Sequence, residues 1–360
     1  MQRIVPVVLG LITVVAVAGS AVFWWPAGDR NRDDQRQSDR DRRASAVLTV
    51  AAPLDVPAGL PDTAPVSCPA ATVSVQTADQ LTEAPASASA GTVIALADGR
   101  YDGNFTASST GTAVAPIFVC GTRDAVLDAG GPKEGYVLHL GGAAYWRFVG
   151  FTVSNGQKGV MADGATFSVI QDLHVTGTGD EAIHLRQFST DNAVIGNDID
   201  TTGLRRDKFG EGVYVGTAQS NWCKISNCEP DRSDRNVVVG NHISGTGSES
   251  VDLKEGTTGG LVQDNSFDGT GMTGADSWVD VKGNGWLIQR NAGVHSPLDG
   301  YQTHNILDDW GLANTFAGNV ADVNADGFGY ALRPLGNNVL RCDNTATGAG
   351  SGFATASCGP

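Results

Sequence analysis

The sequence predicts an all-β solenoid, a parallel β-helix with coils of about 22–28 residues. Three observations predict it. From about residue 145 to the C-terminus one pattern returns every 22 to 28 residues, with a single longer gap. Each unit holds a short apolar strand, an Asn- or Asp-containing corner, a Gly/Thr/Asp-rich turn and a second short strand. Phe151–Val153, Leu173–Val175, Asp198–Asp200, His242–Ser244 and Ser266–Asp268 align as first strands. Ala182–Arg186, Gly212–Gly216, Ser250–Lys254 and Trp278–Lys282 then align as second strands. A repeat this short cannot bury its own apolar face, so neighbours must stack. Strands of three to five residues with alternating apolar positions, and almost no helical periodicity, make the stack a β-helix.

Read in order, residues 1–28 form an export segment. Residues 4–26 carry no charge, follow Arg3 and end near Phe23, Trp24 and Trp25. Such a run is long enough to span a bilayer and is flanked as a membrane anchor would be. A cleaved signal peptide, with its small-residue site near Ala18–Ala21, is the other reading. Residues 29–67 are expected to be a disordered linker, because 29–43 carry six Arg and five Asp with no apolar residue and 44–66 are rich in Ala, Pro and Val. Residues 68–360 form the β-helix domain. Within it, 91–96, 116–120 and 125–128 read as early strands, 98–101 as a turn, and Thr82 to Gly91 as a small Ala/Ser loop. Asn197, Asn241, Asn265, Asn291, Asn319 and Asn344 recur at matching corners and predict a stacked asparagine ladder. The step from Asn197 to Asn241 is 44 residues, and the extra length is assigned to a loop at 216–235.

The formal net charge is −15 and the pI near 4.6, which argues against nucleic acid or an anionic membrane surface as partner. Contact with membrane is expected only through the N-terminal segment, and the chain is expected to be a monomer. All six cysteines lie beyond the export segment, where disulfides are the default. In a solenoid distant coils never meet, so the expected pairs are Cys68–Cys120, Cys223–Cys228 and Cys342–Cys358.

The chemistry lies in the second strands. Alternate residues share a face. The outward set is His184 and Arg186, Tyr214, Asp252 and Lys254, Asp280 and Lys282, then Gln302 and His304, with Glu181, Glu211, Glu249 and Asp299 just before the strands. Carboxylates stacked a coil apart repel, so Asp252 beside Asp280, flanked by Glu211 and Glu249, calls for a cation. Several hard oxygen ligands suit Ca²⁺. Trp222, in the long loop, is expected to form a groove wall.

The strand, ADG-type turn, Tyr, strand opening at Gly91–Tyr101 resembles the start of right-handed parallel β-helices. Exported members of that superfamily include pectate lyases and the alginate and chondroitin lyases of the chondroitinase B type. The stretch Glu249-Ser-Val-Asp252-Leu-Lys254 resembles the chondroitinase B-type pattern of two acidic ligands followed by a lysine, with the acids three apart rather than two. Asp180-Glu181-Ala-Ile-His184 is similar to an acidic cluster of a calcium-dependent pectate lyase family, with His in place of an acid. The resemblance implies an acidic polysaccharide substrate, Ca²⁺ on outward carboxylates, and β-elimination after removal of the C5 proton. The expected metal ligands are Glu211, Glu249, Asp252 and Asp280. Lys254 is the expected base, on the premise that neighbouring positive charge lowers its pKa. Arg186 is the expected carboxylate clamp, with Lys282, His184 and Tyr214 as further catalytic candidates and Trp222, Gln302 and His304 on the substrate. The competing readings are a non-catalytic carbohydrate-binding or envelope scaffold, a hydrolase and an epimerase. The Asn-Thr-Asp and Gly-His-Gly signatures of β-helix galacturonases are absent.

Overall fold

The structure is a computed structural model that describes residue 54 and residues 56–359. The apolar segment 4–26 and the charged run 29–43 lie outside the described residues. Among the described residues no helix is long and apolar enough to cross a membrane.

The chain winds as the repeat predicts. Three parallel sheets of eleven, ten and ten strands run the length of the solenoid, and successive coils visit them in turn. The first sheet extends from Val73–Val75 to Val339–Leu340, the second from Gly99–Asp102 to Thr345–Ala349, and the third from Phe105–Ala107 to Gly352–Ala354. In the third sheet Ile183, Val213, Val251, Val279 and Tyr301 stack in register, with Leu185, Val215, Leu253 and Val281 two residues on. All nine are fully buried. Burying one such aliphatic side chain stabilises by about 1.5–3 kcal/mol, and a coil gains this only when its neighbours cover it.

The second sheet corrects the alignment of two repeats by one residue. Val153, Val175, Ile199, Ile243 and Phe267 form the inward stack. Phe151 and Leu173 therefore occupy the corner column that Asn197 continues, and the Leu173 N–H donates to Asn197 Oδ1 at 2.9 Å. From there the ladder runs as expected. Each Asn Oδ1 accepts from the backbone N–H and the Nδ2 of the Asn one coil earlier, at 2.8–3.0 Å, from Asn197 through Asn241, Asn265, Asn291 and Asn319 to Asn344. A second ladder, Ser168–Asn192–Asn236, holds another corner.

Three further findings bear on the ends and loops. Residues Ala78–Ser87, inside and before the stretch read as a loop, form an α-helix. Thr77 caps it by accepting from Gln80 N–H, and Gln80 Oε1 accepts from Gln76 N–H, close to a capping box. Its buried Leu81, Ala84 and Pro85 cover the open end of the first coils. The three expected disulfides are present. Part of the stretch read as linker packs on the solenoid: Leu54, Leu60 and Val66 lie against Val169, Ile195, Val239 and Leu261 on the outer side of the first sheet. Gln171 and Gln289 each exchange two hydrogen bonds with its backbone, at Val66 and Leu54.

The extra length of the long coil is divided between two loops rather than confined to 216–235. The link from second to third sheet is 201–212, against 177–182 and 245–250 in neighbouring coils. The link from third to first sheet is 216–236, against 187–192 and 254–260. Both loops rise on the same side of one coil.

Replacing Asn241 by Ala removes the acceptor for Asn197 and the donor to Val194 O. Buried groups left unpaired cost about 1–3 kcal/mol each. Denaturant unfolding of Asn241→Ala is expected to show a loss of about 2–4 kcal/mol, against little change for Asn104→Ala at an exposed turn.

Candidate active site

The outward positions of the third sheet fall into two rows. His184, Tyr214, Asp252, Asp280 and Gln302 stack directly. Two residues along each strand, Arg186, Gly216, Lys254, Lys282 and His304 make the second row. Gly216 has φ +88°, and a Cβ there would meet Thr257 Cγ2 at 2.5 Å. The row is therefore open between Arg186 and Lys254. The two loops of the long coil rise beside this gap and bound a cleft of about 280 Å³. Lys158, Glu181, His184, Arg186 and Tyr214 form its floor, and Arg206, Phe209, Asn221 and Ile225 its loop-side wall.

These rows do not form a solvated face of alternating charges. Asp252, Asp280, Lys282, His184, Glu181 and Glu211 are all buried. Lys254 Nζ contacts Asp252 Oδ2 at 2.6 Å, and Lys282 Nζ bridges Asp252 Oδ1 at 2.8 Å and Asp280 Oδ2 at 2.5 Å. His304 Nδ1 meets Asp280 Oδ1 at 2.8 Å. The sequence reading required a cation between Asp252 and Asp280; the Lys282 ammonium is that cation. Burial by itself would lower Lys254, but the charge and hydrogen bond of Asp252, with Glu249 and Glu211, hold its pKa well above the usual lysine value. This is the reverse of the premise on which Lys254 was expected to be a base. Lys282 is raised in the same way against its own burial, first by Asp252 and then by Asp280.

A second ionic group lies two coils back from Asp252, beyond the Tyr214 coil. Lys158 Nζ pairs with Glu181 Oε2, and His184 Nδ1 stands 3.3 Å from Glu181 Oε1 and 3.4 Å from Lys158 Nζ. His184 Nε2 is 2.9 Å from Gly216 O, which fixes the proton on that nitrogen. Burial and then the Lys158 charge lower its pKa, so the ring is neutral. Arg186 Nε donates to Asp163 Oδ1 at 2.6 Å, and its NH2 approaches Tyr136 Oη at 3.4 Å.

Glu211, Glu249 and Asp252 each place a carboxylate oxygen within 4.8 Å of the others. Glu211 Oε2 is buried without a hydrogen-bond partner among the described residues. Burial, followed by the charges of Glu181, Asp252 and Glu249, pushes Glu211 well above the carboxylate range, and burial and Asp252 raise Glu249. Within the trio Lys254 and Lys282 contact Asp252, while no ammonium pairs with Glu211 or Glu249 among the described residues, and an orphaned Glu211 oxygen facing two more acids fits a hard divalent cation. Asp280 stands outside it, with both oxygens already held by Lys282 and His304.

Other expected residues fall elsewhere. Trp222 is buried, with its ring against Gly256 and its Nε1 donating to Thr217 O at 2.8 Å. It pins the loop instead of walling the groove. Gln302 is fully buried and donates to Asp299 Oδ2 at 3.0 Å. Lys158, Arg206 and Phe209 line the cleft and were missed; Asp180, read in the sequence only as part of an acidic cluster, lines it too. Lys158 was legible by extending the column one coil toward the N-terminus, where Met161 pairs with His184 and Asp163 with Arg186. Arg206 and Phe209 were hidden in the unrecognised excess between Asp200 and Val213.

No protein-family model and no curated protein matches the chain. Among solved structures, the alginate lyase from Paenibacillus sp. str. FPU-7 is 33% identical over an alignment covering 79% of this chain and 99% of that one, with a TM-score of 0.73. The pectate lyase Pel9A aligns over 76% of this chain and 72% of that one at 16% identity and a TM-score of 0.50, a likeness of fold alone. Identity at that level across nearly all of the Paenibacillus enzyme, on the same right-handed parallel β-helix, settles the kinship: the chain belongs to that alginate lyase's family and is a polysaccharide lyase.

Proposed function

We propose that this lyase cleaves a polyuronate, with alginate as the first candidate, by β-elimination at Tyr214 and Lys254 beside a divalent cation, Ca²⁺ being the chemical match. One observation carries the reading: a largely buried carboxylate trio with an unpartnered oxygen adjoins Tyr214, which lines the cleft, and Lys254, whose Nζ lies 5.0 Å from the Tyr214 ring. Glu211, Glu249 and Asp252 would hold the ion. A bound dication neutralises a uronate carboxylate and so acidifies the C5 proton.

The proton roles follow from the charges. Lys254 remains an ammonium, so it is the donor to the leaving 4-oxygen and not the base. A base must be able to accept a proton from the cleft. His184 is neutral, yet Gly216 O, Glu181 and Lys158 occupy both its nitrogens. Tyr214 remains. Burial, then the charges of Asp252, Glu211 and Glu181, push its pKa well up. Neutralising those carboxylates removes that part of the push, and the Lys254 ammonium, 5.0 Å from the ring, favours phenolate. Arg186, oriented by Asp163 and Tyr136, keeps the edge that carries its remaining amino group for a substrate carboxylate. Lys282 and His304 act through Asp252 and Asp280 as positioning groups. Three disulfides suit an oxidising compartment. We place the enzyme, a monomer, outside the cytoplasmic membrane, exported by residues 1–28.

The deciding assay is the ultraviolet absorbance of unsaturated uronate products from alginate, polygalacturonate and glycosaminoglycans, with and without chelator. Product from alginate that chelator abolishes and Ca²⁺ restores is the expected result. Absence of product on every substrate overturns the lyase reading, and C5–H exchange without absorbance would mark an epimerase.

Lys254→Met and Tyr214→Phe are each expected to lower kcat by about 10²–10⁴-fold with little change in KM. A Lys254→Met enzyme with full kcat would remove the donor assignment.

Asp163 supplies a pH test of the Arg186 clamp. Burial would raise its pKa, but hydrogen bonds from His139 and Arg186 and the Arg186 charge lower it to about 2. A depressed carboxylate stabilises the fold above its unfolded pKa, and that contribution fades as pH falls toward 2. Thermal unfolding of Asp163→Asn should show a deficit of about 2 kcal/mol at pH 7 that shrinks below about pH 4. A deficit independent of pH would mean that packing, not charge, is lost.

A further inference from the structure

The basic loop at 203–210 is built to a tolerance that a surface connection does not need. Four glycines from three coils cradle its backbone. A Cβ on Gly210 would stand 2.6 Å from Gly203 Cα, one on Gly247 would stand 2.6 Å from Asp207 O, and one on Gly274 would stand 2.6 Å from Lys208 Cα. Backbone bonds tie the loop to the preceding coil, Leu204 N–H to Thr178 O at 3.0 Å and Arg205 N–H to Gly179 O at 2.8 Å. Ser248 N–H ties it to the next by donating to Gly210 O at 3.1 Å. Thr273 Oγ1 donates to Asp207 Oδ2 at 3.1 Å. The wall of the cleft is therefore held fixed from both sides.

What it presents is a cationic group over a buried acceptor. Arg205 pairs with Asp180, and Arg206 NH2 reaches the same oxygen of Asp180 at 3.4 Å. The Arg206 guanidinium lies 4.1 Å above the Phe209 ring, with the side chain 46% exposed. Asp180 is 2% exposed, lines the cleft, and keeps Oδ1 without a hydrogen-bond partner among the described residues. A planar cation supported on an aromatic ring matches a carboxylate, and an unsatisfied buried carboxylate oxygen asks for a hydroxyl donor. One uronate residue carries both groups.

We propose that Arg206, Phe209 and Asp180 form a subsite for a uronate residue next to the scissile one, with Arg206 on its carboxylate and Asp180 Oδ1 accepting from a ring hydroxyl. The inference rests on the polyuronate reading above and adds where the neighbouring sugar is held. Arg206 binds; it takes no part in proton transfer.

The test compares wild type, Arg206→Ala, Arg206→Lys and Gly274→Ala on sodium polymannuronate and on its trisaccharide, with folding checked by circular dichroism. For Arg206→Ala, KM on the polymer is expected to rise about tenfold while kcat stays within about twofold, as for a contact equal in ground and transition states. Arg206→Lys should recover part of the loss, and the KM of Arg206→Ala should respond less steeply to NaCl than that of wild type. Gly274→Ala, which displaces the loop without altering its charges, should raise KM in the same direction. An unchanged KM, or a loss confined to kcat, overturns the subsite while leaving the lyase reading intact. If wild type cleaves none of the polyuronates, the lyase reading fails separately. Calorimetric titration of the protein with polymannuronate then reads the subsite, an equal Kd in wild type and Arg206→Ala overturning it.

Discussion

Parallel stacking turns position in the repeat into position in space. Neighbouring strands lie about 4.8 Å apart, so a residue type repeated at one place in each coil becomes a column. For asparagine this is stabilising, since each side chain is donor and acceptor at once and can bond the next indefinitely. For carboxylates it is costly unless counter-charge is interleaved. The third sheet meets that requirement in two ways. Over Asp252 and Asp280 it inserts the Lys282 ammonium. At Glu211 and Glu249 it supplies no such group, and the energetic debt of those buried carboxylates is what marks them as the place for an external cation or a proton. A fully neutralised column would be an ordinary surface; this one is incomplete at Glu211 and Glu249, beside Tyr214 of the cleft floor.

The cleft is the product of one coil. Two loops leave it on either side of the strand Val213–Val215 and stand beside the gap at Gly216. Neither is loose. The larger is anchored by Asp231, whose carboxylate accepts from the N–H groups of Gln187 and Phe188 and from Thr217 Oγ1. The smaller rests on glycine backbones. A solenoid lends itself to this, because its corners repeat and a glycine at the same corner of adjacent coils opens a continuous seat for a loop.

The architecture was legible because it is periodic. The inward aliphatic stack, the asparagine column and the pairing of cysteines all follow from which residues recur at which spacing, and all three are present as read. Departures occurred where periodicity is silent. Phe151 and Leu173 were misplaced by one residue because an apolar residue replaces Asn at their corner, leaving the register without its marker. The capping helix was overlooked although Thr77-Ala-Asp-Gln80 announces it, because Pro85 and the Ala/Ser run after it read as a loop. The outward rows were identified correctly, but not their burial. That depends on loops whose path a sequence does not give, and burial is what inverted the reading of Lys254. A lysine among solvated charges could lose its proton to water in the field of a nearby dication. A lysine held against Asp252 keeps it, because removing the proton would leave Lys282 alone to offset Asp252, with Glu249 and Glu211 nearby, in a poorly solvated site.

Fold and chemistry thus draw on separate columns. The asparagine ladders carry no charge and hold the coils together at any pH that leaves amides intact. Glu211 and Glu249 are raised, and a carboxyl raised above its unfolded value gains folding stability as pH falls through its folded pKa. Acid therefore protonates Glu211 and Glu249 without loosening the coils around them. Protons and a divalent cation compete for the same oxygens, so acidification would empty the ion site while the scaffold stays intact. The opposite order, with the fold failing before the site discharges, would require the trio to be depressed, as Asp163 and Asp280 are. It is the absence of a lysine at Glu211 that prevents this, and the same absence leaves room for the ion.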